Sequence, residues 1–141
     1  MHKIIGKNID VSNDFIKVFE SKSLHELLDY LILVFEPFHQ DKFFDLEQSI
    51  IRMFESYKNG LINVSDARKL AFDIHRLAKS SQNDEAFYLR ALGHMVSTLH
   101  VKTHALKALD YLIKVVYYQT KSNEQIVGER LRQMSLLFNQ N

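Results

Sequence analysis

Three of the seven histidines, His94, His100 and His104, fall in the run Gly93-His94-Met95-Val96-Ser97-Thr98-Leu99-His100-Val101-Lys102-Thr103-His104. A neutral imidazole serves as a metal ligand, a general base or a buried polar tie, so this is where the chain has groups able to do chemistry near neutral pH. On an unbroken helix His100 and His104, four residues apart, share a face, while His94 sits about 120° round it. Such a helix offers two ligands, not three. If the chain bends at Val101-Lys102-Thr103 with Thr103 capping the next helix, His100 continues the stripe of Val96 and Leu99. His104 then joins the stripe of Ala108 and Leu112. Both become partly buried histidines that tie the junction through backbone carbonyls or through Thr98 and Thr103. This structural role is the stronger reading, because no His-Glu-x-x-His pattern or three-ligand helical set accompanies the histidines. His75, four residues after Ala71 on the flank of an earlier helix, reads as an edge histidine beside Arg76, with membership of the same cluster as the alternative.

Other chemistries lack their residues. There is no cysteine, so disulfides, thiolate nucleophiles and thiolate metal sites are excluded. No Gly-x-Gly-x-x-Gly or Walker-type loop is present, and four glycines leave no phosphate cradle. Ser97 and Thr98 stand near His94 and His100, but no elbow or oxyanion-hole segment goes with them. No catalytic residue is therefore assigned, no cofactor is expected, and the chain reads as a non-enzyme.

The elements that must carry these residues are helices. Ser12 to Glu20 suits a short helix. Ser23-Leu24-His25-Glu26 has the form of a capping box ahead of Leu24, Leu27, Leu28, Leu31 and Phe35 on one face, and Pro37 is expected to end that helix by forcing Glu36 out of helical geometry. A second segment from near Asp41 carries Phe43, Leu46, Ile50, Met53, Phe54 and Tyr57 and stops at Asn59-Gly60. A third from Asn63 to Ser65 carries Ala67, Leu70, Ala71, Ile74, Leu77 and Ala78. Asn83-Asp84-Glu85 is expected to cap a fourth with Ala86, Leu89, Leu92, Gly93, Val96 and Leu99 inward. Thr103 starts a fifth with Ala105, Ala108, Leu109, Leu112 and Val116 inward. Ser122-Asn123-Glu124-Gln125 opens a last helix whose buried stripe is Ile126, Leu131, Met134 and Leu137 or Phe138. Its segment Glu129-Arg130-Leu131-Arg132-Gln133 reads as ordinary exposed helix with charge pairing along one face. Tyr111, Tyr117 and Tyr118 read as an aromatic cluster of the core, with a contact surface as the weaker alternative. Only the first ten residues leave room for irregular chain or a short strand.

The fold class is therefore all-α: one compact domain over residues 1–141, a bundle or orthogonal array of about six to seven helices. Small residues put its tight centre at residues 65–118. Gly93 on the buried face of the fourth helix implies that another helix backbone crosses close to it. The chain has 141 residues, 46% hydrophobic and 25% charged, which suits a soluble globular domain. Eighteen basic against seventeen acidic residues give a net charge of +1. No field of that size draws in nucleic acid or an anionic membrane, and neither is expected as a partner. Met1 to Asp10 has too few large apolar residues for a signal peptide, and Leu31 to Phe35 is far too short to span a bilayer, so the protein is expected in the cytoplasm.

Three stretches resemble a known family: Ala67-Arg68 to His75-Arg76-Leu77-Ala78, Arg90-Ala91-Leu92-Gly93-His94 through Thr98-Leu99-His100 and Thr103-His104-Ala105, and Ala108-Leu109-Asp110-Tyr111 to Val116. Together they are similar to the immunity-five-like family, the all-helical immunity proteins of bacterial polymorphic-toxin systems. The Glu129 to Gln133 segment matches acceptably, whereas the first third has phenylalanine, leucine and tyrosine where the family has tryptophans. The resemblance implies a structural motif of Gly93, His94, Thr98, His100, Thr103 and His104 in a small protein whose partner is a cognate toxin that it binds and neutralises. Specificity would then lie where the likeness fades, on exposed positions between Ser23 and Lys58, with Glu47, Arg52 and Glu55 as partner-binding candidates and Tyr30 and Tyr57 either beside them or in the core. The alternative from another class is a metal- or small-molecule-binding bundle using His94, His100 and His104, with His75. A helical adaptor module is a third.

Overall fold

A computed structural model describes residues 10–141, and the strand considered for the amino terminus falls on residues outside this range. Among the described residues the chain forms seven α-helices and two short 3-10 turns. They are α1 (Asn13–Ser21), α2 (Leu24–Phe35), α3 (Phe44–Lys58), α4 (Val64–Lys79), α5 (Asn83–Ser97), α6 (His104–Thr120) and α7 (Asn123–Phe138), with the turns at Glu36–Phe38 and Asp41–Phe43 between α2 and α3. None of these helices is long and apolar enough to cross a membrane.

Local chemistry sets most of the boundaries. Ser23 Oγ accepts from the Glu26 amide at 3.1 Å while the Ser23 amide donates to Glu26 Oε1 at 2.8 Å, the reciprocal pair that starts α2. Ser12, Asn63 and Ser122 accept from amides three residues on and start α1, α4 and α7. Gly60, at φ +70°, takes the left-handed conformation that closes α3.

Three expected boundaries differ. Pro37 does end the α-helix, but Glu36 keeps helical angles (φ −50°, ψ −47°), and the chain tightens into a 3-10 turn before it breaks at His39. Proline near the start of a helical turn loses no hydrogen bond, so it need not expel its neighbour. Asn83 does not cap α5. Gln82 occupies the cap position without a side-chain bond, and Asn83 itself sits at φ +61°, a conformation asparagine tolerates better than most residues. Thr103 makes no capping bond either, because the first amides of α6 are already met by backbone: His104 N donates to Val101 O, Ala105 N to Lys102 O and Leu106 N to Thr103 O, all at 3.0–3.1 Å.

The most extensive helix contacts are those of α5 with α6 and with α4. Helix α5 is accordingly buried over most of its circumference, through Tyr88, Leu89, Ala91, Leu92, Gly93, Met95 and Val96. Buried Ala67, Ala71 and Ala78 on α4 and Ala105 and Ala108 on α6 remove the bulk that would hold these helices apart. Helices α1, α2, α3 and α7 add the large side chains Phe15, Leu27, Leu28, Tyr30, Ile50, Phe54 and Leu137 to one contiguous core.

Helix α7 is rotated relative to the expected stripe. Its buried residues are Ile126, Arg130, Gln133 and Leu137, whereas Leu131 and Phe138 are exposed. The Arg130 guanidinium donates to Gln133 Oε1 at 2.7 Å and to Asp110 Oδ1 at 2.6 Å, and Gln133 Nε2 donates to Leu109 O at 3.2 Å. The Tyr30 hydroxyl donates to Gln133 O at 2.6 Å, and Arg132 donates to Val34 O at 2.7 Å. A polar pair can lie on a buried stripe when each group finds its partner across the helix interface, and here α2, α6 and α7 are joined that way.

Candidate functional site

The three central helices bring together a histidine cluster, though not the expected set. Helix α4 supplies His75, α5 supplies His94 and α6 supplies His104 with Tyr111 one helical repeat further on. His94 is at the centre. Its ring stacks on His104 (centroids 5.1 Å, planes 21° apart) and on Tyr111 (5.4 Å, 11°), and it meets the His75 ring edge-on at 4.9 Å. His94 Nδ1 and His104 Nδ1 are 2.9 Å apart, so one carries the hydrogen and the other accepts it. Thr98 is buried, and its hydroxyl donates to His94 O at 3.0 Å, closing the end of α5 beneath the cluster.

Gly93 makes room for this arrangement. A Cβ at Gly93 would stand 2.6 Å from His75 Cε1 and 2.7 Å from its Nε2. What crosses Gly93 is therefore the His75 imidazole of α4, and not a helix backbone as expected. His75 is a member of the cluster and not an edge residue beside Arg76.

His100 is the member that leaves. Expected to be half-buried beside Val96 and Leu99, it is exposed, and the Arg68 guanidinium of α4 donates to its Nε2 at 2.8 Å. The turn after Ser97 is the reason. The amides of His100 and Val101 both return to Ser97 O, which swings His100 out to the surface while Leu99 stays buried. Lys102 then pins the turn to the amino-terminal helices, donating to Lys22 O at 2.7 Å.

Burial is the first cause of the cluster's electrostatics. It lowers the pKa of His94 to about 4, helped by His75, His104, Lys107 and Arg90. Burial likewise lowers His75, with Arg90 and His104 adding to it, and lowers His104, with Lys107 and His100 adding to it. The three rings are thus held neutral at neutral pH. Among the described residues no carboxylate hydrogen-bonds to these rings, and no group of three or more histidine or acidic side chains is arranged to hold a metal ion. The geometry supports a stacked, hydrogen-bonded junction of three helices.

A second polar group lies between α2, α3 and α5 and was legible only in part. Glu47, half-buried on α3, accepts from the Tyr88 hydroxyl, from Gln40 N at 3.1 Å and from His39 Nδ1 at 2.5 Å. His39 Nε2 faces Asp41 Oδ1 at 2.9 Å. With a carboxylate on each ring nitrogen the His39 pKa is raised, Glu47 contributing more than Asp41. Burial, then Glu47, raises that of Tyr88. Of the other surface candidates, Arg52 is exposed and donates to Ser49 Oγ at 3.3 Å, and Glu55 is exposed. Tyr30 is wholly buried, and Tyr57 is half-buried against His25. The tyrosines of α6 divide: Tyr111 faces the histidines, while Lys121 lies over the rings of Tyr117 and Tyr118.

The class these features define is an all-helical bundle whose histidine cluster closes on itself at the junction of α4, α5 and α6. The chain belongs to the Imm-5 like putative immunity protein family, whose model matches residues 20–140 and so takes in α2 and α3 as well as the central helices. No curated protein and no solved structure matches it.

Proposed function

We propose that the protein is a cytoplasmic, non-enzymatic immunity protein that binds a cognate toxin of a bacterial polymorphic-toxin system and neutralises it by covering its working surface. The observation that carries this reading is the family match across residues 20–140. The inward-facing, uncharged histidine cluster supports it, because such a cluster gives the fold a rigid centre and leaves the outer helices free to vary. The motif of Gly93, His94, Thr98, Thr103 and His104 acts as scaffold, with His100 displayed at its edge. Recognition falls on α2, α3 and the turns between them, with Arg52 and Glu55 as exposed charges and Glu47 as the carboxylate that orders the His39 turn. The experiment is co-expression with the toxin encoded beside the gene. The double charge reversal Arg52→Glu with Glu55→Lys, on exposed positions that leave the melting curve unchanged, is expected to lower protection sharply. Full protection by that folded variant refutes the placement of the face, and no protection by the unaltered protein refutes the immunity function.

A further inference from the structure

Beside Glu47 the surface opens into a cavity of about 320 Å³ between α2, α3 and α5. That volume lies at the low end of ligand pockets, roughly 300–1,000 Å³, and suits one long side chain better than an extended ligand. Its walls are apolar, with Ile32 from α2, Ile51 from α3 and Met95 from α5. Two carboxylates, Glu36 and Glu47, break the apolar lining, and among the described residues no lysine or arginine lines it. The nearby Lys42 is taken by Glu85 at 2.9 Å. The Glu36 carboxylate is exposed and has no partner among the described residues. Phe44, also lining the cavity, is 50% exposed and presents a ring that packs edge-on against His39. His39, among the described lining residues the one side chain able to take up a positive charge, is already engaged by both Glu47 and Asp41, so the carboxylates Glu36, Asp41 and Glu47 outweigh it even when it is protonated.

From this combination we infer that the cavity is an anchor pocket for an arginine side chain of the bound toxin. The aliphatic stem lies along Ile32 and Ile51, the guanidinium pairs with the unengaged Glu36 beside the Glu47 carboxylate that His39, Gln40 and Tyr88 already hold, and its face packs on Phe44. Arginine fits these features better than lysine, since its planar, weakly hydrated cation stacks on an aromatic ring and pairs with carboxylates in the same pocket. A buried arginine in a pocket is also a common dominant contact of protein interfaces. The source of the side chain rests on the immunity reading, whereas the pocket's preference for an apolar stem ending in a guanidinium does not.

The test separates the two. Isolated protein is titrated with n-butylguanidinium chloride and, in parallel, with neutral n-butylurea of nearly the same shape, following methyl resonances of Ile32, Ile51 and Met95 by NMR. The guanidinium is expected to bind saturably in the millimolar range, with butylurea about tenfold weaker. Glu36→Gln, at an exposed position, is expected to weaken the guanidinium several-fold with no change in melting temperature, and Ile51→Trp to block it by filling the cavity. Equal binding of urea and guanidinium, indifference to Glu36→Gln, or shifts confined to other residues overturns the pocket's assignment. For the source, Glu36→Lys is expected to weaken the toxin complex at least about tenfold, and an unchanged complex overturns the toxin arginine. Absence of any complex with the unaltered protein instead defeats the immunity reading, while the titration still decides the pocket.

Discussion

Replacing Gly93 by alanine has opposite expected signs depending on whether His75 is present. In a helix interior alanine is better than glycine by about 1 kcal/mol, so an unobstructed Gly93→Ala stabilises the protein. Gly93 is obstructed. The new Cβ would lie 2.6 and 2.7 Å from His75 Cε1 and Nε2, closer than real Cβ contacts come, and a tight 3.0 Å from its Nδ1, so the ring must move by the better part of an ångström. His75 cannot move freely, because its ring packs edge-on against His94, itself stacked between His104 and Tyr111. Overpacking of this kind costs about 1–3 kcal/mol, which outweighs the gain in propensity and leaves Gly93→Ala about 1 kcal/mol less stable than the natural chain. In a His75→Ala background the obstruction is gone, and the same change should stabilise by about 1 kcal/mol. The four proteins of the double-mutant cycle, unfolded in urea, thus have an expected coupling of about 2 kcal/mol. Gly128→Ala is the control: nothing lies within 4 Å of its Cβ position, so it should stabilise in either background. If Gly93→Ala stabilises equally with and without His75, the ring is not seated on the glycine and the account of the cluster fails.

Acid should loosen the same junction. His94 is held at about 4 against 6.5 in the unfolded chain, so the unfolded state binds the extra proton between those values and stability falls as the pH drops through that window. The full shift corresponds to roughly 3 kcal/mol, and solvent reaching the half-buried ring screens that to about 1–2 kcal/mol. His75 and His104 act in the same direction; exposed His39, with its raised pKa, acts weakly in the opposite one. Urea melts at pH 7.5 and 5.0 check this: the natural chain should lose stability on acidification, His94→Gln should lose less, and identical slopes would sink the argument. On α7, Arg130→Ala removes the donor to Gln133 and Asp110 from a buried position and should cost about 2–4 kcal/mol, while Leu131→Ala on the exposed side should change little. Thermal melts of the two variants settle it, and a larger loss at Leu131 would mean that the helix is turned the other way.

Much of this molecule is written along the chain itself. The capping groups Ser12, Ser23, Asn63 and Ser122, the left-handed Gly60 and the apolar spacing of α2 to α6 are local matters, decided by which amides a side chain can reach within one turn and by where a 3.6-residue period puts its large side chains. They specify helices, their ends and, for most of them, their inward faces. They do not specify neighbours. The His75, Gly93, His94, His104 and Tyr111 group is assembled from three helices, so no spacing in the sequence distinguishes His75, which joins it, from His100, which the turn after Ser97 swings into solvent. Helix α7 shows the same limit. The positions 126, 130, 133 and 137 do have helical spacing, but arginine and glutamine on that stripe read as solvated until Asp110, Leu109 and Tyr30 are known to face them. Glu47 reads as a surface charge on α3 for the same reason, since Tyr88, Gln40 and His39 arrive from other parts of the chain. A hydrophobic pattern records what a residue would lose in water; whether a polar group can afford burial depends on a partner distant in sequence, and only the tertiary structure supplies it.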